Sequence, residues 1–369
     1  MKFSVSSAEL LKQLQLVSGA VSSNPVLPIL EGFLFTIEGN HLTLSGSDLE
    51  SSIVTSLEVH ASGDGSVAIP AKTLMDTLKA LPEQPITIDV DDVCAVTITS
   101  SYGKYKLAGE DGSDFPNIPE PSETETVELP AATLSYAIAK TLFATSTDEL
   151  RPQMTGVFFQ VDFNKMTFVA TDAHKLVRFT ASNDVKSDVA TSFIVPKKAL
   201  NLLKSALPHN GNVVISFNKS NAFFAFGDVK MVCRLIDARY PDYNAVIPSE
   251  NPNRLVVSRA TLQSSLKRIN IYANKTTNQA VLNIAASSIT ITAQDLDFSN
   301  EASEVLSGTL EGEPMQIGFN AKFLIEMLGV LEGDEIQFEM STPSRAGILR
   351  PLEQVEGEDI LMLVMPVMI

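Results

Sequence analysis

Apolar residues recur along this chain at two spacings, and the switch between them lays out its elements. In "AKTLMDTLKALPE", "KKALNLLKSALPH" and "NAKFLIEMLGVLEG" the apolar positions are Leu74, Leu78 and Leu81, then Leu200, Leu203 and Leu207, then Leu324, Leu328 and Leu331. Steps of three, four and seven residues put each set on one face of a helix, so helices are expected over 71–81, 197–207 and 321–332. Each is followed by alternation: Ile86-Ile88-Val90, Val213-Ile215-Phe217 and Ile336-Phe338-Met340. That period of two marks strands with one buried face. Three more helices are expected over 8–20, 131–145 and 259–275, from "AELLKQLQLVSGAV", "AATLSYAIAKTLFATS" and "RATLQSSLKRINIYAN".

The same order of elements occurs three times. An aromatic or apolar residue followed by proline stands at Phe115-Pro116, Tyr240-Pro241 and Met365-Pro366, with successive prolines 125 residues apart. A strand running into an aspartate stands at Asp48, Asp172 and Asp295, at intervals of 124 and 123 residues. Solenoid units run about 20–50 residues, so the period is that of a whole domain. Each copy offers two helices among many alternating strands. The expected fold class is therefore α+β, three repeats of a two-helix, antiparallel-sheet domain. Linkers are read at "PEPSETETVE" (119–128) and "PSENPNR" (248–254), giving domains over 1–121, 128–248 and 253–369.

Charge changes the picture only once the chain is divided. The net charge of −17 by itself argues against a nucleic-acid partner, because phosphate is bound by Lys and Arg. The six expected helices, however, carry 0, +1, +1, +3, +4 and −1 in chain order, a total of +8 that leaves −25 elsewhere. Basic helices on an otherwise acidic protein would draw a polyanion to one place and repel it from the rest. No helix-turn-helix, zinc-finger or RNP pattern makes it a sequence-specific reader. Cys94 and Cys233 lack metal-ligand spacing and are expected to be reduced core thiols of a cytoplasmic protein. No secretory signal is read at the start, and the longest apolar run, "ILMLVMPVMI", has ten residues, too few for a membrane span.

The one stretch that invites a catalytic reading is "TFVATDAHKL", where Asp172 stands two residues from His174. A catalytic pair needs a nucleophile or a metal, and no G-x-S-x-G, H-E-x-x-H, P-loop or Cys-His spacing accompanies it. Asp48 and Asp295 recur without a histidine. The aspartate is thus expected to accept backbone N–H groups where the strand turns. "SGDGSVA" (62–68) looks superficially like a dinucleotide loop, but without a strand-turn-helix context it reads as a hairpin turn. No cofactor and no metal are expected.

"MKFSV", "LPIL" (27–30), "GSDLE" (46–50), "ATDAHKL" (170–176), "VPKKAL" (195–200), "RYPDYNAVIP" (239–248), "IGFNAKFL" (317–324) and "VMPVMI" together resemble the bacterial sliding clamps, the beta subunits of the replicative DNA polymerase III holoenzyme. The resemblance runs from residue 1 to residue 369. It implies a DNA clamp fold and a head-to-tail homodimer whose six domains close a ring, helices inward, around double-stranded DNA held topologically and without sequence specificity. It places the subunit interface between the first domain of one chain and the third of the other. It also implies a processivity factor, not an enzyme, whose partners are the replicative polymerase, the clamp loader and other proteins carrying a clamp-binding peptide, with no membrane involved. The alternative is a triple-repeat interaction scaffold that never encircles DNA.

Carried over position by position, the peptide-binding cleft comprises Met154, Thr171, His174, Lys175, Leu176, Pro241, Val246, Val364, Met365, Pro366 and Val367. Methionine in such a cleft adapts to several ligands. The DNA-facing residues are Lys72, Lys79, Arg151, Lys197, Lys198, Lys204, Lys267, Arg268 and Lys275. The chain departs from the common pattern at Ala173-His174-Lys175, where Gly-His-Arg is usual, and at Val367-Met368-Ile369, where Met-Arg-Leu is usual. Asn244 and Ala245 replace basic residues, Asn24 replaces an arginine, and Pro152-Gln153 stands where tyrosines are frequent. The cleft is therefore expected to be more apolar and less cationic than usual.

Overall fold

The computed structural model describes all 369 residues. Its helices are α1 (Ser7–Val17), α2 (Ala71–Ala80), α3 (Ala131–Thr141), α4 (Lys197–Ala206), α5 (Arg259–Ile269) and α6 (Ala321–Val330). All six were expected, and each ends earlier than its apolar period. After α1 and α3 the chain tightens into 3-10 turns over Ser18–Ala20 and Leu142–Ala144. After α5 the backbone tightens likewise, Ile271 N–H donating to Arg268 O at 3.1 Å and Tyr272 N–H to Ile269 O at 3.0 Å, three-residue bonds that close a helix end. Lys275 consequently lies beyond α5, not on it. The observed helices still sum to +8, because Glu332 drops out of α6 as well.

The chain forms two compact units, Met1–Ala132 with Lys198–Leu235, and Thr133–Lys197 with Ile236–Ile369. In the first, an antiparallel sheet runs from Gly65–Pro70 through Gly32–Glu38, His41–Ser47 and Ser51–Glu58. It passes directly into Val229–Arg234, Asn221–Phe226, Asn212–Phe217 and Glu125–Pro130. A separate five-stranded sheet ends on Lys104–Ala108. In the second unit, a nine-stranded sheet carries Lys175–Ala181 paired along its length with Glu358–Val364, Lys175 opposite Val364. A four-stranded sheet there ends on Asn300–Ser307.

The alternating positions face inward as their spacing requires: Ile86, Ile88, Val213, Ile215, Ile336 and Phe338 are at most 1% exposed, and so are Leu74, Leu200, Leu324 and Leu328. Two local readings change. The turn inside "SGDGSVA" does not close a hairpin, because His60–Ser62 and Gly65–Pro70 belong to different sheets. Gly63, at φ +95°, makes the crossing, a backbone region that favours glycine. Cys233 is a buried thiol raised to about 12 by desolvation, whereas Cys94 is half-exposed in the turn between two strands, not core.

Candidate peptide-binding cleft and basic helices

The turn that prompted the catalytic question is built around Asp172. Its Oδ1 accepts the N–H groups of His174 and Lys175, both at 2.9 Å, and its Oδ2 accepts the Lys175 ammonium at 2.7 Å. Thr171 Oγ1 accepts Ala173 N–H at 3.1 Å and donates to the Lys175 carbonyl at 2.8 Å. These bonds hold Ala173 at φ +75°, a left-handed conformation costing about 1–2 kcal/mol for a residue with a side chain. In the first repeat, Asp48 Oδ1 likewise accepts Glu50 N–H at 3.0 Å and Ser51 N–H at 2.6 Å, with Leu49 at φ +75°. Asp295 does the same for Asp297 at 3.1 Å. The aspartate is a turn-former in all three repeats, and the Asp172 carboxylate holds the backbone N–H of His174, not its ring.

From this turn the cleft residues can be followed outward. The His174 carbonyl accepts Met365 N–H at 2.9 Å, and Val367 N–H donates to Gly318 O at 2.9 Å. A Cβ on Gly318 would lie 3.0 Å from the Val367 carbonyl, so glycine permits this approach of tail to strand. Gln279 Nε2 holds the Met368 carbonyl at 3.0 Å. Beneath lies an apolar floor in which Leu176 and Leu363 pack with Val169, Tyr240, Tyr243, Ala346 and Ile348. Tyr240 stacks on Phe158 with ring centroids 4.5 Å apart, and burial raises its hydroxyl pKa well above the ordinary value. A recess of about 530 Å³ opens against Phe158, Tyr240, Pro241 and Tyr243.

The expected cleft residues thus take different places. Thr171, Lys175, Leu176 and Val364 are buried, and form the wall and floor rather than the lining surface. His174, Met365 and Val246 are exposed, while Pro241, Pro366, Val367 and Met154 are half-buried. Pro241 and Val246 are carried by the segment whose Tyr240, Tyr243 and Ile247 pack on the floor. Met154 sits on a separate 3-10 turn, its carbonyl bonded to Ser146 N–H at 2.8 Å. Two residues escaped the sequence reading. Phe323 and Glu326 on α6 reach this turn: the His174 ring stacks on Phe323 at 6.0 Å, and the Lys175 ammonium lies 4.4 Å from the Phe323 centroid and 3.4 Å from Glu326. The available signal was an aromatic side chain on α6 outside its Leu324, Leu328, Leu331 stripe.

The basic residues divide as sharply. Lys72, Lys79, Lys204, Lys267 and Lys275 are exposed, and Lys197 is half-buried. Lys198 pairs with the buried carboxylate of Asp48, and Arg151 with Asp148 at 2.8 Å. Arg268 forms a two-pronged pair with Glu304 at 2.8 and 2.7 Å, whose hydrogen bonds hold the Glu304 carboxyl below its ordinary range. Lys140, counted among the helix charges, is buried against Glu332, the Val330 carbonyl and the Tyr136 ring. Arg259 donates to the carbonyls of Leu328 and Gly333. Both cations meet the C-terminal end of α6, where the helix dipole favours positive charge. Charge that looked available in the sequence is in part committed to the fold.

Three family models cover nearly all of the chain: DNA polymerase III beta subunit, N-terminal domain over 1–119, central domain over 128–242 and C-terminal domain over 244–368. A relative named beta sliding clamp in Synechococcus elongatus is 31% identical across 100% of this chain and 99% of its own. The solved DNA polymerase sliding clamp of Bacillus subtilis superposes with a TM-score of 0.94 at 28% identity, covering 100% of this chain and 99% of its own. A sliding clamp of Bartonella birtlesii, solved bound to griselimycin, gives 0.93 at 28% identity, covering 100% of both chains. The chain belongs to the DNA polymerase III beta subunit family, with the three-domain clamp fold and the sliding-clamp function of that family. These likenesses favour the clamp over the scaffold alternative. No helix is long and apolar enough to cross a membrane.

Proposed function

We propose that two copies of this chain close head to tail into a six-domain ring around double-stranded DNA. The observation that carries the proposal is a repeated strand pairing with two ends left over. Within the chain, the last strand of one repeat's sheet joins the next repeat twice, at Ser51–Glu58 with Val229–Arg234 and at Lys175–Ala181 with Glu358–Val364. The corresponding strand of the third repeat, Asn300–Ser307, and the remaining one of the first, Lys104–Ala108, are sheet edges. Unpaired edges are a liability that proteins cover, and a heterologous contact that closes gives a ring. The edges carry opposite charge: Lys104 and Lys106 on one, Glu301 on the other beside the Arg268-paired Glu304. Exposed Ile271 and Tyr272, just beyond α5, and a recess of about 500 Å³ beside Tyr105 and Leu81 add apolar surface to the two ends.

In such a ring the DNA is retained by topology, so the exposed lysines of the helices need only centre it, partly through water. Lys72, Lys79, Lys204 and Lys267 are the first contacts, with Lys197 and Lys275 beside them, while Lys198, Arg151 and Arg268 reach DNA only by leaving their carboxylates. The cleft at His174 and Met365 tethers polymerases, the clamp loader and other proteins in the cytoplasm by their apolar peptide anchors. We assign no catalysis. The domains are those of the repeat, 1–121, 128–248 and 253–369. Averaged negative-stain images test the ring: a closed six-lobed annulus is expected, and three-lobed crescents at high protein concentration would refute it. Reversing Lys197, Lys198, Lys267 and Arg268 together should shorten retention on nicked circular DNA.

A further inference from the structure

Lys175 is the one lysine among the expected cleft residues, and its surroundings decide what it can do. Its side chain is 6% exposed and stands between Asp172 at 2.7 Å and Glu326 at 3.4 Å, over the Phe323 ring at 4.4 Å. Asp172 belongs to the turn, Phe323 and Glu326 to α6. Phe323 in turn carries the exposed His174 ring, stacked within 21° of parallel. A lysine whose charge is shared by two carboxylates has no unmet demand for a ligand carboxylate, and reaching one would break both pairs. The one cation on α6 itself, Lys322, is exposed, its backbone N–H donating to the cap residue Asn320. Glu326 is half-exposed, its side chain at 49%.

We infer that Lys175 is a positioning residue, which fixes the His174–Phe323 stack at the cleft mouth and leaves the cleft indifferent to whether the peptide residue at that mouth is uncharged or acidic. The inference rests on the cleft reading above and sharpens it. Apolar anchors supply the affinity, and the ion network supplies the rigidity that lets a stacked aromatic pair act as a fixed wall.

The test uses the full-length protein and three fluorescein-labelled peptides with one leucine- and phenylalanine-containing core, differing only in one flanking residue: Glu, Gln or Lys. The wild-type protein should bind the Glu and Gln peptides within about twofold of each other. Lys175→Met should weaken both about tenfold, with their ratio unchanged. Lys175→Arg should recover most of that loss if the pairing, not a ligand contact, matters. Because Lys175→Met disturbs a buried pair, Glu326→Gln on the exposed side serves as the second variant, with a loss of about threefold for both peptides. A Glu peptide that binds at least fivefold better, with the advantage lost in Lys175→Met, would overturn the inference and make Lys175 the ligand's cation. An unchanged Glu326→Gln protein would also overturn it. Failure of all three peptides to bind would instead reject the cleft itself, and the inference with it.

Discussion

The turns after His41–Ser47 and after Lys165–Thr171 are one backbone device used for two ends. Both are closed by an aspartate accepting two N–H groups, both put a residue at φ +75°, and in both the next carbonyl takes an N–H from the neighbouring repeat. Glu50 O receives Arg234 at 2.8 Å, and His174 O receives Met365 at 2.9 Å. The side chains differ. The first turn buries Ser47, Ser51 and Ser52, with Ser52 Oγ donating to Ser47 Oγ at 2.8 Å, and the strand leaving it carries Arg234 outward. The second places Leu176 on an aromatic floor, and the segment leaving it is Met365-Pro366-Val367. Beneath the first repeat, the matching cluster is only Ile29, Leu30, Ala68 and Phe115. The backbone brings two repeats together in both places; an apolar, aromatic surface follows only where the substituents supply one.

The largest expected effect would break that contrast outright. Deleting residues 365–369 should weaken binding of the leucine- and phenylalanine-containing peptides by at least about a hundredfold by calorimetry, without changing the protein's sedimentation. Unchanged affinity would mean that the second turn is no more a docking site than the first. Next in size are the two aspartates. Asp172→Ala leaves Lys175 buried beside Glu326 alone and should cost about 3 kcal/mol in urea unfolding. Asp48→Ala frees Lys198, whose side chain is 66% exposed, so it should cost only about 1–2 kcal/mol. Equal losses would show that the buried cation is not what separates the two turns. Replacing a hydroxyl tests the reverse case: Ser52→Leu should cost about 1–3 kcal/mol, from an overpacked wall and the lost Ser52–Ser47 hydrogen bond, and should create no binding site for those peptides. The smallest effect should be shared. Leu49→Gly and Ala173→Gly each relieve a left-handed residue, less the glycine entropy cost, and should raise stability by about 0.5 kcal/mol.

Much of this was open to reading along the chain. The 125-residue period, the six helices and the alternating strands follow from apolar spacing, which is a local property. The aspartate turns were legible because the same residue recurs where three strands end. Helix ends were overrun where a tightening to three-residue bonds stops a helix that hydrophobicity alone would continue. Sequence reading put the two segments 171–176 and 364–367 together, and they do meet, but it did not put Phe323 and Glu326 beside them.

The sequence by itself determined the repeat, the element types and the excess of positive charge on helices, since each is carried by neighbours a few residues apart. Only the tertiary structure decided which charges remain for a partner. Lys140 is taken by Glu332, Lys175 by Asp172 and Glu326, Lys198 by Asp48 and Arg268 by Glu304. Most of these partners come from other repeats or other elements, and a side-chain charge is matched across the distance of the folded chain, not along its contour.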